Sequence, residues 1–319
     1  METVTGYVFR PDHLRVDDRK PGISAFMRIR NGADFIEPTI RSHIGFYDEI
    51  VAVHNQCNDG TPEILARLAQ EFAPRIRVFH YTDRVQPLGS KAHAETPGDS
   101  PESMVNYSNF ALAQTRYRHA VKLDDDHLAI PSAVARICDD LRAGRLDEGA
   151  LHCFSGVNLA RDRSGRLAIP AVDPVSGGGD IGYFRVSPAT RFHHDPRFER
   201  FGRAGLRRRF VGYLYWHLKF LKTGEGFVNY ELDDNPDSRF ARKRARFRKS
   251  WLMSLPEARA ALVPGPVARL STVFSAKNRL LIERATAFAP SFPDDGLEQA
   301  LDRLSPGWRD ISRMQGGCP

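Results

Sequence analysis

His119-Ala120-Val121-Lys122-Leu123-Asp124-Asp125-Asp126-His127 is the stretch on which the reading of this chain turns. Val121 and Leu123 alternate with polar neighbours, the pattern of a half-buried strand. The strand runs directly into three consecutive acids, and Pro131 follows soon after. Clustered carboxylates are thereby expected at the C-terminal edge of a sheet, where open α/β sheets bind ligands. Asp124 and Asp126 are two apart and point to one side if strand geometry persists. Two hard oxygen ligands on one side suit Mg2+ or Mn2+, which keep open positions for phosphates. The competing reading is a solvated turn, since Asp is a common turn residue.

The surrounding chain supports an α/β layout. Ile23–Arg30 is an apolar stretch of strand length that ends at the turn signal Asn31-Gly32. Phe35, Ile36, Ile40 and Ile44 recur at helical spacing. Glu49–His54 is the next strand, and Asp59 or Thr61 caps a helix with Pro62 in its first turn. Ile76–Tyr81 is a third strand. This strand–helix alternation predicts a mostly parallel central sheet with right-handed crossovers. Residues 82–105 form a long aperiodic loop, of the kind that is usually functional. Helices are expected over 106–117 and Pro131–Gly144, and a strand over Leu151–Leu159. A helix is expected over 205–222, with Phe210, Val211, Leu214, Leu218 and Leu221 inward. Its His217 reads first as a packing or surface histidine, with metal ligation as the alternative.

Composition narrows the classes. The chain has 319 residues, 41% of them hydrophobic and 10% aromatic, which excludes global disorder. Lys and Arg number 46 against 39 Asp and Glu, so the net charge of +7 favours anionic partners. The four cysteines form no CxxC and no disulfide frame, which points to a reducing compartment. The N-terminus, with charges throughout, has no apolar signal core, and no run of about 18 apolar residues occurs. A cytoplasmic protein is expected.

Three further features stand out. Gly177-Gly178-Gly179-Asp180 lets backbone approach a ligand, or is simply a flexible turn. Residues 239–249, RFARKRARFRK, hold seven basic residues and no acid. Phe240, Phe247 and Trp251 lie close to one helical face, so this segment reads either as a peripheral contact with the inner face of a membrane or as an ordinary solvated helix. By these readings 1–21 is a lead-in with a short strand expected at Tyr7–Phe9, 22–235 is the α/β domain, and 236–319 is a basic and helical appendage.

The order of these pieces resembles a family 2 type glycosyltransferase of the GT-A fold. Ala25–Asn31 is similar to the family's opening strand. Val53-His54-Asn55-Gln56-Cys57-Asn58-Asp59-Gly60-Thr61 is similar to its second-strand signature. Asn106–Ala113 followed by Lys122-Leu123-Asp124-Asp125-Asp126 is similar to the helix and strand that carry its D-x-D motif. Gly177–Gly179 falls where an acceptor-side turn is often found. The likeness spans about residues 22–230.

The resemblance implies transfer of a sugar from a nucleotide-diphosphate donor to an acceptor hydroxyl, with inversion. It implies Mn2+ or Mg2+ at Asp124 and Asp126, and the metal-ligating reading of His217 would add a further ligand. Arg28, Asn31, Asn55, Asp59, Lys122, Asp124 and Asp125 are implied to hold the nucleotide sugar. Surface glycan synthesis on a glycan or lipid-linked acceptor is the implied setting. Two departures matter. His54-Asn55 stands where two acids are usual, and the family's Glu-Asp pair is missing. Asp180 is therefore the first candidate for the base, with Asp195 and Glu199 as alternatives. A nucleotidyltransferase is the alternative enzyme, but Asn31-Gly32-Ala33-Asp34 lacks that class's basic loop residue. A non-catalytic basic module, binding membrane or nucleic acid, is the third reading. The acid cluster counts against nucleic acid, since carboxylates repel phosphate unless a metal intervenes.

Overall fold

The computed structural model describes residues 1–178, 182–203, 205–265, 275–293 and 296–315. Strands β1 (Glu2–Val4), β2 (Lys20–Ile29), β3 (Glu49–Asn55), β4 (Ile76–Tyr81) and β5 (Tyr117–Lys122) form the parallel part of a mixed sheet, in the order β1-β4-β3-β2-β5. The short strand of the N-terminal segment is therefore Glu2–Val4, not Tyr7–Phe9.

Beyond β5 the chain adds β6 (His127–Ala129), β7 (Ala150–Asn158), and the small strands β8 (Ala160–Arg161), β9 (Leu167–Pro170) and β10 (Val175–Ser176). Then follow β11 (Gly182–Arg185), the hairpin β12 (Phe192–Asp195) and β13 (Phe198–Phe201), β14 (Arg207–His217) and β15 (Leu252–Met253). The main sheet continues β5-β11-β7-β14-β6. The β11 strand is antiparallel to both β5 and β7, so β7 and β14 run in the same direction as β5. The ends of β5 and β14 thus meet at one sheet edge.

Side-chain alternation explains the layers. Ile23, Ala25, Met27 and Ile29 of β2 face helices α1 (Ile36–His43), α2 (Thr61–Glu71) and the later α5 (Pro131–Arg142), while Phe26 faces the opposite layer. That layer is built on α4 (Met104–Ala113), which follows the short α3 (Lys91–Glu95). Val51 and Val53 of β3 join it. Both faces are covered, as parallel sheets require.

A second expected element is corrected. Residues 207–217 are a strand, not part of a helix over 205–222. The strand pairs with β7 through register shifts between Phe210 and Gly212 and between Tyr213 and Tyr215. Each shift slips the two-residue period and leaves apolar residues at accidental helical spacing. The aromatic content (Phe210, Tyr213, Tyr215 and Trp216) favours a strand.

The C-terminal helices Ala276–Ser291 and Leu297–Leu304 cover the far end of the sheet, where Phe288, Phe292 and Leu301 pack with Trp216. Helix α6 (Arg239–Arg248) is capped by the Ser238 hydroxyl. Its Phe240 and Phe247 turn inward, and Phe247 stacks on Phe220 with ring centroids 4.0 Å apart. The apolar stripe expected to meet a membrane is thus packed against the protein, and only Trp251, 71% exposed, faces outward. No helix among the described residues is long and apolar enough to cross a membrane. Cys57 and Cys138 are free thiols, Cys153 is in no disulfide, and Cys318 lies outside the described residues.

Candidate active site

The parallel strands end in a cleft of about 630 Å³. Its floor is the acid cluster. The β5 strand stops at Lys122, and the next four residues turn the chain back into β6. Strand geometry does not persist through the acids, so Asp124 and Asp126 take different partners. Asp124 pairs with Lys122. Asp125 and Asp126 share the Lys222 ammonium, at 2.8 and 3.3 Å.

Register brings two histidines to Asp126. His127 opens β6 directly opposite His217, the last residue of β14, and His217 is also opposite Asn158 at the end of β7. Asn158 Nδ2 donates to the Asp173 carbonyl at 2.6 Å, which turns its Oδ1 toward His217. That oxygen lies 2.5 Å from His217 Nδ1 and accepts its proton. His217 Nε2 then faces Asp126 Oδ1 at 3.2 Å. Asp126 Oδ1 and His127 Nε2 are both buried and lack a hydrogen-bond partner. Ligand atoms of Asp126, His127 and His217 all lie within 4.8 Å of one another, and Asp124 Oδ2 is 3.9 Å from His127 Nε2.

Buried acceptor atoms converging without donors are costly unless a cation joins them. Burial pushes the His127 imidazole down to about 3, so it stays neutral with a lone pair to offer. Burial opposes ionisation of Asp126, yet the Lys222 ammonium holds it well below the usual carboxylate range. Burial also opposes ionisation of Asp124, and the paired Lys122 ammonium outweighs it. Burial lifts Asp125 to about 6, with Lys222 opposing and Asp126 adding to the rise. These residues fit a divalent ion held by one carboxylate and two imidazoles, with Asp124 beside it. His217 Nδ1 on Asn158 is the kind of outer contact that orients a metal-bound imidazole.

The remaining expected residues fall in three groups. Lys122, Asp124, Asp125, Arg28, Asn31, Asn55 and Asp59 all line the cleft. Several are already engaged. The Asn55 amide donates to the Tyr81 and Asp83 carbonyls and accepts from Val85 N, so it fastens the loop after β4. Asp59 accepts from the backbone of Ala33 and Thr61. Asn31, with φ of 50°, accepts from Asn58 N and donates to Asn229. Arg28 is buried against Glu199 at 2.7 Å. Of the three candidate bases, Glu199 lines the cleft in this pair, while Asp195 is held by Arg197 at 3.1 Å and does not line it. Asp180 lies outside the described residues.

Sequence reasoning missed His127, Lys222, and the wall formed by residues 219–235. His127 was legible as the residue that closes the acid run. The wall is a series of short 3-10 turns, with no period to find. It is tied across the cleft by Thr223 N to Asp34, Asn229 to the Arg30 carbonyl, and Glu231 to Arg30 and Arg84.

The fold is an α/β sheet with a cleft at its C-terminal edge, and solved structures of GT-A glycosyltransferases are similar to part of this chain. Glucosyl-3-phosphoglycerate synthase from Mycobacterium tuberculosis, in complex with Mg2+ and UDP, is 19% identical, with 52% of each chain covered and a TM-score of 0.30. TarS from S. aureus, in complex with UDP, is 15% identical, with 45% of this chain and 37% of that chain covered and a TM-score of 0.28. The chain thus spans about half or less of these proteins. No protein family and no curated sequence matches it. Likenesses of this size assign no activity, and the functional reading rests on the cleft itself.

Proposed function

We propose that this chain is a glycosyltransferase that uses a nucleotide-diphosphate sugar and a divalent cation. The observation that carries the reading is the convergence of Asp126 Oδ1 and His127 Nε2, both buried and without a hydrogen-bond partner, with His217 Nε2 3.2 Å from Asp126 Oδ1, at the edge of a parallel sheet. A cation there would neutralise the charge that develops on a departing diphosphate. Two imidazoles beside one carboxylate favour Mn2+ over Mg2+, which prefers oxygen ligands. Arg28, Asn31 and Lys122 stand on the donor side by the motif resemblance. Asn55 shapes the donor loop rather than reading the base.

Transfer with inversion requires a carboxylate within reach of the acceptor hydroxyl. Glu199 is the described candidate that faces the cleft, and Asp180 is the second. The Glu199 carboxylate is engaged by Arg28 at 2.7 Å, so an acceptor hydroxyl would have to displace that contact to reach it. The setting, surface glycan assembly on a glycan or lipid-linked acceptor, rests on the resemblance alone.

The test is a panel of nucleotide sugars incubated with the protein and Mn2+, followed by mass spectrometry of the released nucleotide. One sugar nucleotide should be consumed by the wild type and spared by Asp126→Asn. Consumption unchanged in the variant would defeat the cation reading.

A further inference from the structure

We infer that Lys219 and Arg239 form a phosphate-binding subsite on the wall of the cleft, apart from the acid cluster. Seven Lys and Arg side chains line the cleft. Five of them face a carboxylate: Arg28 on Glu199, Arg30 on Glu231, Lys122 on Asp124, Lys222 on Asp125, and Lys243 on Asp173. Among the described residues, Lys219 and Arg239 have no such partner.

Both cations are held by aromatic rings instead. The Lys219 ammonium donates to Tyr230 Oη at 2.9 Å and lies 4.5 Å from the Tyr230 ring centre and 4.9 Å from that of Phe227. Arg239 lies 5.1 Å from the Phe198 ring centre and 5.2 Å from that of Phe240. The Tyr230 and Phe240 rings touch, with centroids 4.7 Å apart, so the two cages adjoin.

Lys219 is only 8% exposed. An ammonium has three donors, and one is used here. Ring faces offset part of the cost of burying a cation, but they do not supply an anion. The cage is also fixed in place. Gly226, with φ of +69°, passes so close beneath Lys219 that a Cβ there would sit 2.5 Å from the Lys219 carbonyl oxygen. The Phe220–Phe247 stack locks the next residue to the helix that carries Arg239. A rigid pair of uncompensated cations, one inside and one at the mouth of a cleft, is a preorganised seat for a compact dianion.

The anion is a phosphate group, supplied by the donor's diphosphate or by a phosphate on the acceptor. Only this choice of source rests on the glycosyltransferase reading. The subsite itself is testable without a divalent ion.

Binding of inorganic pyrophosphate in EDTA is measured by calorimetry for wild type, Lys219→Met, Arg239→Gln and Asp126→Asn. Lys219→Met should weaken binding at least tenfold and Arg239→Gln severalfold, whereas Asp126→Asn, which removes a negative charge from the cleft, should not weaken it. Lys219→Arg should keep most of the affinity, which separates loss of charge from loss of folding. Competition with a nucleotide diphosphate would assign the subsite to the donor, and simultaneous binding would assign it to the acceptor. Wild-type affinity in Lys219→Met, or no pyrophosphate binding by the wild type, would overturn the inference. If Lys219→Met loses pyrophosphate while no nucleotide binds with Mn2+, the subsite stands and the donor reading falls.

Discussion

Asn158 Oδ1 accepts the Nδ1 proton of His217 at 2.5 Å, and this contact leaves Nε2 facing the Asp126 carboxylate. One amide at the end of β7 thus sets the tautomer of a histidine at the end of β14. Asn158→Leu should weaken Mn2+ binding by roughly ten- to a hundredfold, the usual cost of losing such an outer contact. His217→Ala should weaken it at least as much. Calorimetric titration with Mn2+ checks both, and unchanged affinity in Asn158→Leu would separate the amide from the cation site.

Lys222 compensates two buried acids. Replacing it by methionine leaves Asp125 and Asp126 without their cation. Breaking a buried ion pair costs roughly 3–5 kcal/mol. Lys222→Met should therefore lower the melting temperature in EDTA. It should also bind Mn2+ about tenfold more tightly, because a repelling charge is gone. The melting temperature gained on adding Mn2+ should be larger for the variant than for the wild type. An equal gain in both would mean that Lys222 does not oppose the cation.

Gly32 is where the first loop passes the acid cluster. A Cβ on it would lie 2.5 Å from Asp125 Oδ2. Gly32→Ala must push Asp125 off Lys222 or shift the loop. Overpacking of this kind costs roughly 1–3 kcal/mol. Urea unfolding should show that loss, and Mn2+ binding should weaken with it. A variant as stable as wild type would show that the loop yields freely.

Stability should fall on mild acidification. Burial lowers His43 to about 4, opposed by its bond to the Thr39 carbonyl. The unfolded chain then binds a proton that the folded one refuses. Stability from this group is complete above pH 6.5 and is lost progressively down to about pH 4. At ~1.4 kcal/mol per pH unit, the full loss is roughly 3 kcal/mol. His43→Gln should flatten that part of the profile of unfolding free energy against pH. An unaltered slope would assign the acid lability to other groups, such as His54 stacked on His80, which burial also lowers to about 4.

What the sequence made legible was local. Ile23–Arg30, Glu49–His54 and Ile76–Tyr81 announced the parallel strands, because buried strands are short apolar runs between turn signals. The acid run announced its own sheet edge. What stayed hidden depends on pairing between distant segments. Two register shifts disguised β14 as a helix, so His217 was placed on the wrong element. His127 gains its meaning only from lying opposite His217. Lys219 and Lys222 sit in irregular turns whose position is fixed by contacts across the cleft, which no periodicity records. Asn55 shows the reverse case, since the resemblance implies a nucleotide-sugar contact and its amide hydrogen-bonds the loop backbone.

The most direct test is equilibrium binding of a panel of nucleoside diphosphates, with and without Mn2+, to the wild type and to Asp126→Asn. Tight binding of one nucleotide that requires Mn2+ and disappears in the variant is the predicted result. Equal binding with and without Mn2+, or equal binding by both proteins, would contradict a cation held at Asp126, His127 and His217.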